Sequence, residues 1–259
     1  MRYLAVLSLI AVLGGSCSAG NDIRTESIEY EQGGETLQGM LAYDASIKGK
    51  RPGVLVIHEW LGLTDYSRER ARQLAAMGYA AFALDMYGKG VLASSPEEAG
   101  RLAGRFFADR QLMRDRAAAG LDVLRSREVT DAERLAVIGF CFGGTTALEL
   151  AMSGADLKAV VSFHGVLTFP DLDGLKDIDG QVLVLTGGMD PHVPPDDVLA
   201  FWKALEADSV KYQINIYGGA VHSFTNPASG SDKSTGVAYD ETGARRAWRE
   251  MQDLFKEVF

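Results

Sequence analysis

The chain has 259 residues, of which 47% are hydrophobic and 24% charged, and a formal net charge of −9. That mix belongs to a soluble globular protein of one large domain or two small ones. The acidic excess, with Lys and Arg never running beyond pairs such as Lys50–Arg51 and Arg245–Arg246, argues against nucleic acid as a partner.

The first residues read as a targeting segment. Met1–Arg2–Tyr3 carries a positive charge, Leu4 to Leu13 is apolar apart from Ser8, and Gly14 to Ala19 are small residues. This is the order of an export signal, and the apolar run is shorter than the roughly 20 residues of a stable membrane span. Residues 1–19 are therefore expected to direct export, leaving one domain over 20–259. Cutting after Ala19 would release a soluble protein to the periplasm or the medium. Cutting before Cys17 would resemble a bacterial lipoprotein, attached to the membrane through a lipid on that cysteine. Either way the two cysteines, Cys17 and Cys141, give no disulfide framework.

Beyond a polar stretch at Asn21–Ser27, Ile28–Tyr30 and Thr36–Ala42 read as an edge hairpin turning at Gln32–Gly33–Gly34. The unbroken apolar run Gly53–Ile57 has the composition of a strand covered on both faces. The pattern then alternates. Helices are predicted at Asp65–Met77, Pro96–Ala108, Gln111–Ser126, Gly144–Met152, Pro195–Ala207 and Glu241–Val258. Strands are predicted at Tyr79–Leu84, Leu135–Ile138, Ala159–Phe163, Val182–Thr186 and Tyr212–Tyr217. Strands separated by helices argue for one α/β domain with a mostly parallel sheet. The segment Asn226–Tyr239, rich in Gly, Ser and Asp, has the composition of a mobile surface connection.

The strongest chemical signal is Gly139–Phe140–Cys141–Phe142–Gly143–Gly144, placed between a buried strand and a helix. That context is a nucleophile elbow: glycines allow the sharp bend, and the Phe142 amide and helix N-terminus face any negative charge that forms. An inert buried cysteine is the plain alternative. A phosphate loop fits poorly, because the segment lacks the Lys–Ser/Thr ending and the G-x-G-x-x-G spacing.

Four histidines could serve as base: His58, His164, His192 and His222. His222 lies just past the last strand, where the order nucleophile, acid, histidine puts it. The matching acid is Asp190, in Gly187–Gly188–Met189–Asp190–Pro191. Asp196 and Asp197 are rivals, but they sit in a first helical turn, where carboxylates often serve only the helix dipole. His192 reads as a rim residue. His58 and His164 end strands at the same sheet edge, lining the pocket or filling a structural role.

With these positions in view the chain resembles the dienelactone hydrolase family of α/β-hydrolases over roughly residues 35–259. The resemblance rests on His58–Glu59–Trp60–Leu61–Gly62, Asp85–Met86–Tyr87–Gly88–Lys89, the Cys141 elbow, Gly188–Met189–Asp190 and His222–Ser223–Phe224. It implies an α/β-hydrolase fold, with a mostly parallel central sheet, helices on both faces and the N-terminal β-hairpin at the edge. It implies that Glu59 holds the resting thiol and that Trp60 offers a second oxyanion amide beside that of Phe142. Lys89 and Tyr87 would line the substrate site. Lys89 matches one of two cations that grip a substrate carboxylate; Asn226 stands where the other, an arginine, belongs.

The expected chemistry is hydrolysis of a small ester or lactone through a Cys141 thioester, with His222 and Asp190 as base and orienter. No metal or organic cofactor is implied. A fold-retaining, non-catalytic binding protein of the cell envelope is the main rival. A thiol redox role is weaker, since no resolving cysteine other than Cys17 is present.

Overall fold

The computed structural model describes residues 21–259. The expected export signal and Cys17 lie outside the described residues. Eight strands form one sheet: β1 (Ile23–Gln32), β2 (Glu35–Asp44), β3 (Arg51–Ile57), β4 (Ala80–Leu84), β5 (Thr130–Phe140), β6 (Ala159–Phe163), β7 (Gln181–Gly187) and β8 (Tyr212–Tyr217). Their spatial order is β1-β2-β4-β3-β5-β6-β7-β8. From β4 to β8 every pairing is parallel, and only the β1–β2 hairpin and its join to β4 are antiparallel.

Six α-helices cover the sheet: α1 (Asp65–Ala76), α2 (Pro96–Ala108), α3 (Arg110–Arg125), α4 (Phe142–Met152), α5 (Pro195–Ala207) and α6 (Glu241–Val258). Side chains alternate across a strand, so each central strand feeds two cores. Leu55, Phe82, Val137 and Val184 pack with α2, α3, α4 and α5, whereas Val54, Val56, Ile138 and Leu185 pack with α1 and α6. The alternation of β and α elements and the two-sided burial confirm the α/β-hydrolase architecture.

Two boundaries differ from expectation for physical reasons. β1 begins at Ile23, inside the stretch read as polar, because it pairs with β2 over ten residues from Ile23↔Asp44 to Gln32↔Glu35. An outer strand paired on one side has no need of an apolar run. The segment Asn226–Tyr239 is not a free loop. The His222 amide donates to Gly236 O, and the Ala238 amide donates to His222 O.

Candidate active site

All the chemistry-bearing side chains sit at the carboxyl ends of the parallel strands, where an open α/β sheet leaves its crevice. Cys141 follows β5 directly and has φ 54° and ψ −117°, a conformation that costs an L-residue energy. Two of its neighbours must be glycine. A Cβ on Gly139 would stand 1.9 Å from Gly143 O, and one on Gly143 would stand 2.4 Å from Ile57 O. The bend therefore presses α4 against both β5 and the end of β3.

His164, at the end of β6, anchors the strained residue from below. The Cys141 amide donates to Phe163 O at 3.0 Å and to His164 Nδ1 at 3.1 Å. With Nδ1 accepting, the proton of the neutral ring is on Nε2, which donates to Thr225 Oγ1 at 2.8 Å. Thr225 Oγ1 also bonds the Tyr66 hydroxyl, and Arg70 donates to Thr225 O. Burial, then the nearby His222 and Arg70 charges, hold His164 well below its ordinary pKa, so it stays an acceptor. His58 is fixed the opposite way. Its Nδ1–H donates to Glu59 O at 2.6 Å and its Nε2 accepts from the Met86 amide, and burial lowers its pKa to about 4. Both strand-end histidines are thus structural supports.

The expected row of three groups assembles. His222 Nε2 lies 3.1 Å from Cys141 Sγ, and His222 Nδ1 lies 2.9 Å from Asp190 Oδ2. Asp190 Oδ1 accepts the His192 amide at 2.8 Å. Asp196 and Asp197 lie in the first turn of α5, away from this row. Burial pulls the His222 pKa down, but the facing Cys141 sulfur and the Asp190 carboxylate outweigh it and raise it to about 10. Cys141 is itself partly exposed. The ring of His192 meets that of His222 edge-on, with centroids 4.8 Å apart.

Two amides face no acceptor. Among the described residues, neither Phe142 N–H nor Trp60 N–H donates to a protein group. The loop that carries Trp60 is held by Tyr87, whose hydroxyl donates to Trp60 O at 2.9 Å and whose ring packs on His58 and Phe142. Tyr87, expected to line the substrate site, is only 3% exposed and braces the loop instead.

Three further expectations are corrected. Glu59 does not hold the thiol. Its Oε1 accepts from Ser223 Oγ at 2.7 Å and its Oε2 from Asn226 Nδ2 at 2.6 Å. Asn226 is consequently buried against Glu59, with its carbonyl oxygen turned to the Ala228 amide. Lys89 is drawn to the hairpin, where its Nζ pairs with Glu29 at 2.6 Å. Burial raises the Glu59 pKa, with the two donors pulling partly against it.

Sequence reasoning missed Ser223, Thr225, Tyr66 and Arg70. No spacing signals a residue that acts through another, and the first two lie 155 or more positions from their partners in α1 and the β3 loop. One signal is visible only in the backbone. Among the described residues four non-glycine positions have positive φ, three of them Cys141, His164 and Ser223, and such strain gathers at functional sites.

A profile of the dienelactone hydrolase family matches residues 37–259. The chain belongs to the dienelactone hydrolase family. It is 32% identical to the protein Usf of Aquifex pyrophilus over 90% of this chain and 98% of that one. The solved structure called m3DLH is 43% identical, with a TM-score of 0.88 over 92% of this chain and 99% of that chain. A dienelactone hydrolase-like promiscuous phosphotriesterase, P91, from metagenomic libraries is 39% identical with a TM-score of 0.87, over the same shares of each chain. This family member is a hydrolase, and a small molecule is its substrate.

Proposed function

We propose that this hydrolase cleaves a neutral carboxylic ester or lactone through a thioester on Cys141. The observation that carries the reading is the 3.1 Å approach of His222 Nε2 to Cys141 Sγ, continued by the 2.9 Å bond to Asp190. The thiol proton passes to Nε2, and the thiolate attacks the ester carbonyl. The Phe142 and Trp60 amides receive the oxyanion. Collapse breaks the C–O bond as His222 returns its proton to the leaving alkoxide, and a thioester remains. Water then gives a proton to His222, its hydroxide attacks the thioester, and the thiolate departs.

The shift on His222 times these steps. Much of its elevation comes from the charge on Cys141. Once the sulfur is acylated that charge is gone, the imidazole pKa falls, and the ring is free to act as base.

The two positions assigned to a carboxylate grip are otherwise engaged, Lys89 with Glu29 and Asn226 with Glu59. This favours substrates without a carboxylate. The same lack of a cation suits neutral phosphotriesters, and P91 makes them the second substrates to try. Export directed by residues 1–19, with or without a lipid on Cys17, remains part of the proposal and is checked by fractionating cells and weighing the mature N-terminus.

The deciding experiment is p-nitrophenyl acetate turnover with mass spectrometry of the quenched protein. The wild type should carry one acetyl group on Cys141, and Cys141→Ala should lose both adduct and turnover. Full turnover by Cys141→Ala would sink the reading.

A further inference from the structure

His222 is held by more than its two hydrogen bonds. Its ring meets the His164 ring with centroids 5.3 Å apart at 70°, and the His192 ring at 4.8 Å and 72°. Rings set edge to face in this way restrict each other's tilt. His164 is fully buried and already occupied beneath the Cys141 amide. His192 is exposed, and among the described residues its ring makes no hydrogen bond to protein. The chemistry so far leaves that ring without a task.

The backbone places it firmly. Pro191, Pro194 and Pro195 surround it in sequence, and each fixes φ and leaves the chain few alternatives. The Val193 amide closes a turn on Asp190 O at 3.3 Å, and the Val193 side chain is buried. Pro191 lies against Gly236, where a Cβ would stand 2.8 Å from Pro191 Cγ. Gly236 O accepts the His222 amide, so the acid turn and the histidine loop brace each other. His192 then touches both members of the pair. Its amide donates to Asp190 Oδ1 at 2.8 Å, and its ring packs on His222.

This contact matters most at one stage of the reaction. In the resting site His222 Nε2 has Cys141 Sγ at 3.1 Å and Nδ1 has Asp190 at 2.9 Å, so the ring is tied at both ends. Acylation leaves a divalent thioester sulfur, a weak acceptor, and the tie at Nε2 is lost. Asp190 alone lets the ring swing about the Nδ1···Oδ2 line, whereas water is activated from one orientation only. In that step water gives one proton to Nε2 and its oxygen bonds the acyl carbon. The C–S bond breaks, and its electron pair returns to Cys141 as thiolate. We propose that His192 is a positioning residue for deacylation, its ring keeping His222 aimed at the thioester after the sulfur has let go. The inference rests on the thioester reading and adds a residue that acts through His222.

Two variants test it on p-nitrophenyl acetate. His192→Ala removes the ring and keeps the amide on Asp190; His192→Phe keeps a ring and removes its nitrogens. In His192→Ala, kcat and KM should fall together by about tenfold with kcat/KM within about twofold of wild type, because kcat/KM reports acylation. The acetyl adduct on Cys141, chased after excess ester is removed and weighed by mass spectrometry, should last about tenfold longer, the order of one edge-on ring contact. His192→Phe should come within about twofold of the wild type in both measurements. A ring needed only for folding would lower kcat at unchanged KM and leave the adduct's lifetime alone, which overturns the proposal. So does a His192→Phe variant as slow as His192→Ala. A wild type that never carries the adduct overturns the thioester reading itself. A wild type that carries it, beside a His192→Ala adduct equally short-lived, overturns this inference alone.

Discussion

The Asn226 side-chain amide lies 2.6 Å from Glu59 Oε2, while Ser223 occupies the other oxygen at 2.7 Å. Each carboxyl oxygen thus has a donor of its own, and the hydrogen-bond partner of Cys141 Sγ is His222 Nε2 at 3.1 Å.

Glu59 itself should show in stability against pH. Its folded pKa stands above the ordinary 4.5, chiefly through burial. Such a carboxyl favours folding below its unfolded pKa and gives up that advantage as pH rises through the folded value. Glu59→Gln keeps the shape and removes the titration. Its Tm should match the wild type near pH 4 and exceed it at pH 8. A variant less stable than wild type at pH 8 would mean that the ionised carboxylate is the favoured form.

Tyr87 is a positioning residue. Tyr87→Phe removes only the hydroxyl that holds Trp60 O. The amide of Trp60 should then be placed less well in the transition state than in the ground state. An approximately tenfold loss of kcat, worth about 1.4 kcal/mol, is expected with KM little changed. Steady-state kinetics on p-nitrophenyl acetate check the split.

Lys89 separates the substrate classes. Because its ammonium is engaged by Glu29, Lys89→Ala should leave kcat/KM for neutral esters within about twofold of wild type, less than the cost of a typical surface change. A large loss on neutral esters would mean that the ion pair breaks and the side chain swings to the substrate.

The elbow should tolerate nothing larger than glycine at position 143. A Cβ there meets Ile57 O at 2.4 Å, with His58 O close behind, and backbone cannot yield as a side chain can. Gly143→Ala is expected to lose about 3 kcal/mol of stability or more, read by urea denaturation, and most of its activity with it.

Much of this was legible beforehand. The unbroken apolar run at Gly53–Ile57 marks a strand covered on both sides, and β3 is a central strand of the sheet, flanked by β4 and β5. The glycines around Cys141 marked the bend because only a missing side chain permits it. His222 and Asp190 followed from chain order. What stayed hidden was the direction of side chains. Nothing in the neighbourhood of Lys89 shows that Glu29, sixty positions earlier, draws it away. Nothing near Asn226 shows that its amide would meet Glu59 across 167 positions. Composition reveals which groups a loop owns, and packing decides where they point.

The buried imidazole of His164 has a cost that extends beyond catalysis. An unfolded chain takes up a proton there near the ordinary value of 6.5, while the folded chain resists until far lower. His58 behaves alike, holding out to about 4. Stability contributed by both is intact above that ordinary value and drains away as the solution is acidified. Acidification thus loosens two supports together, His164 under the Cys141 amide and His58 under the loop that carries Glu59.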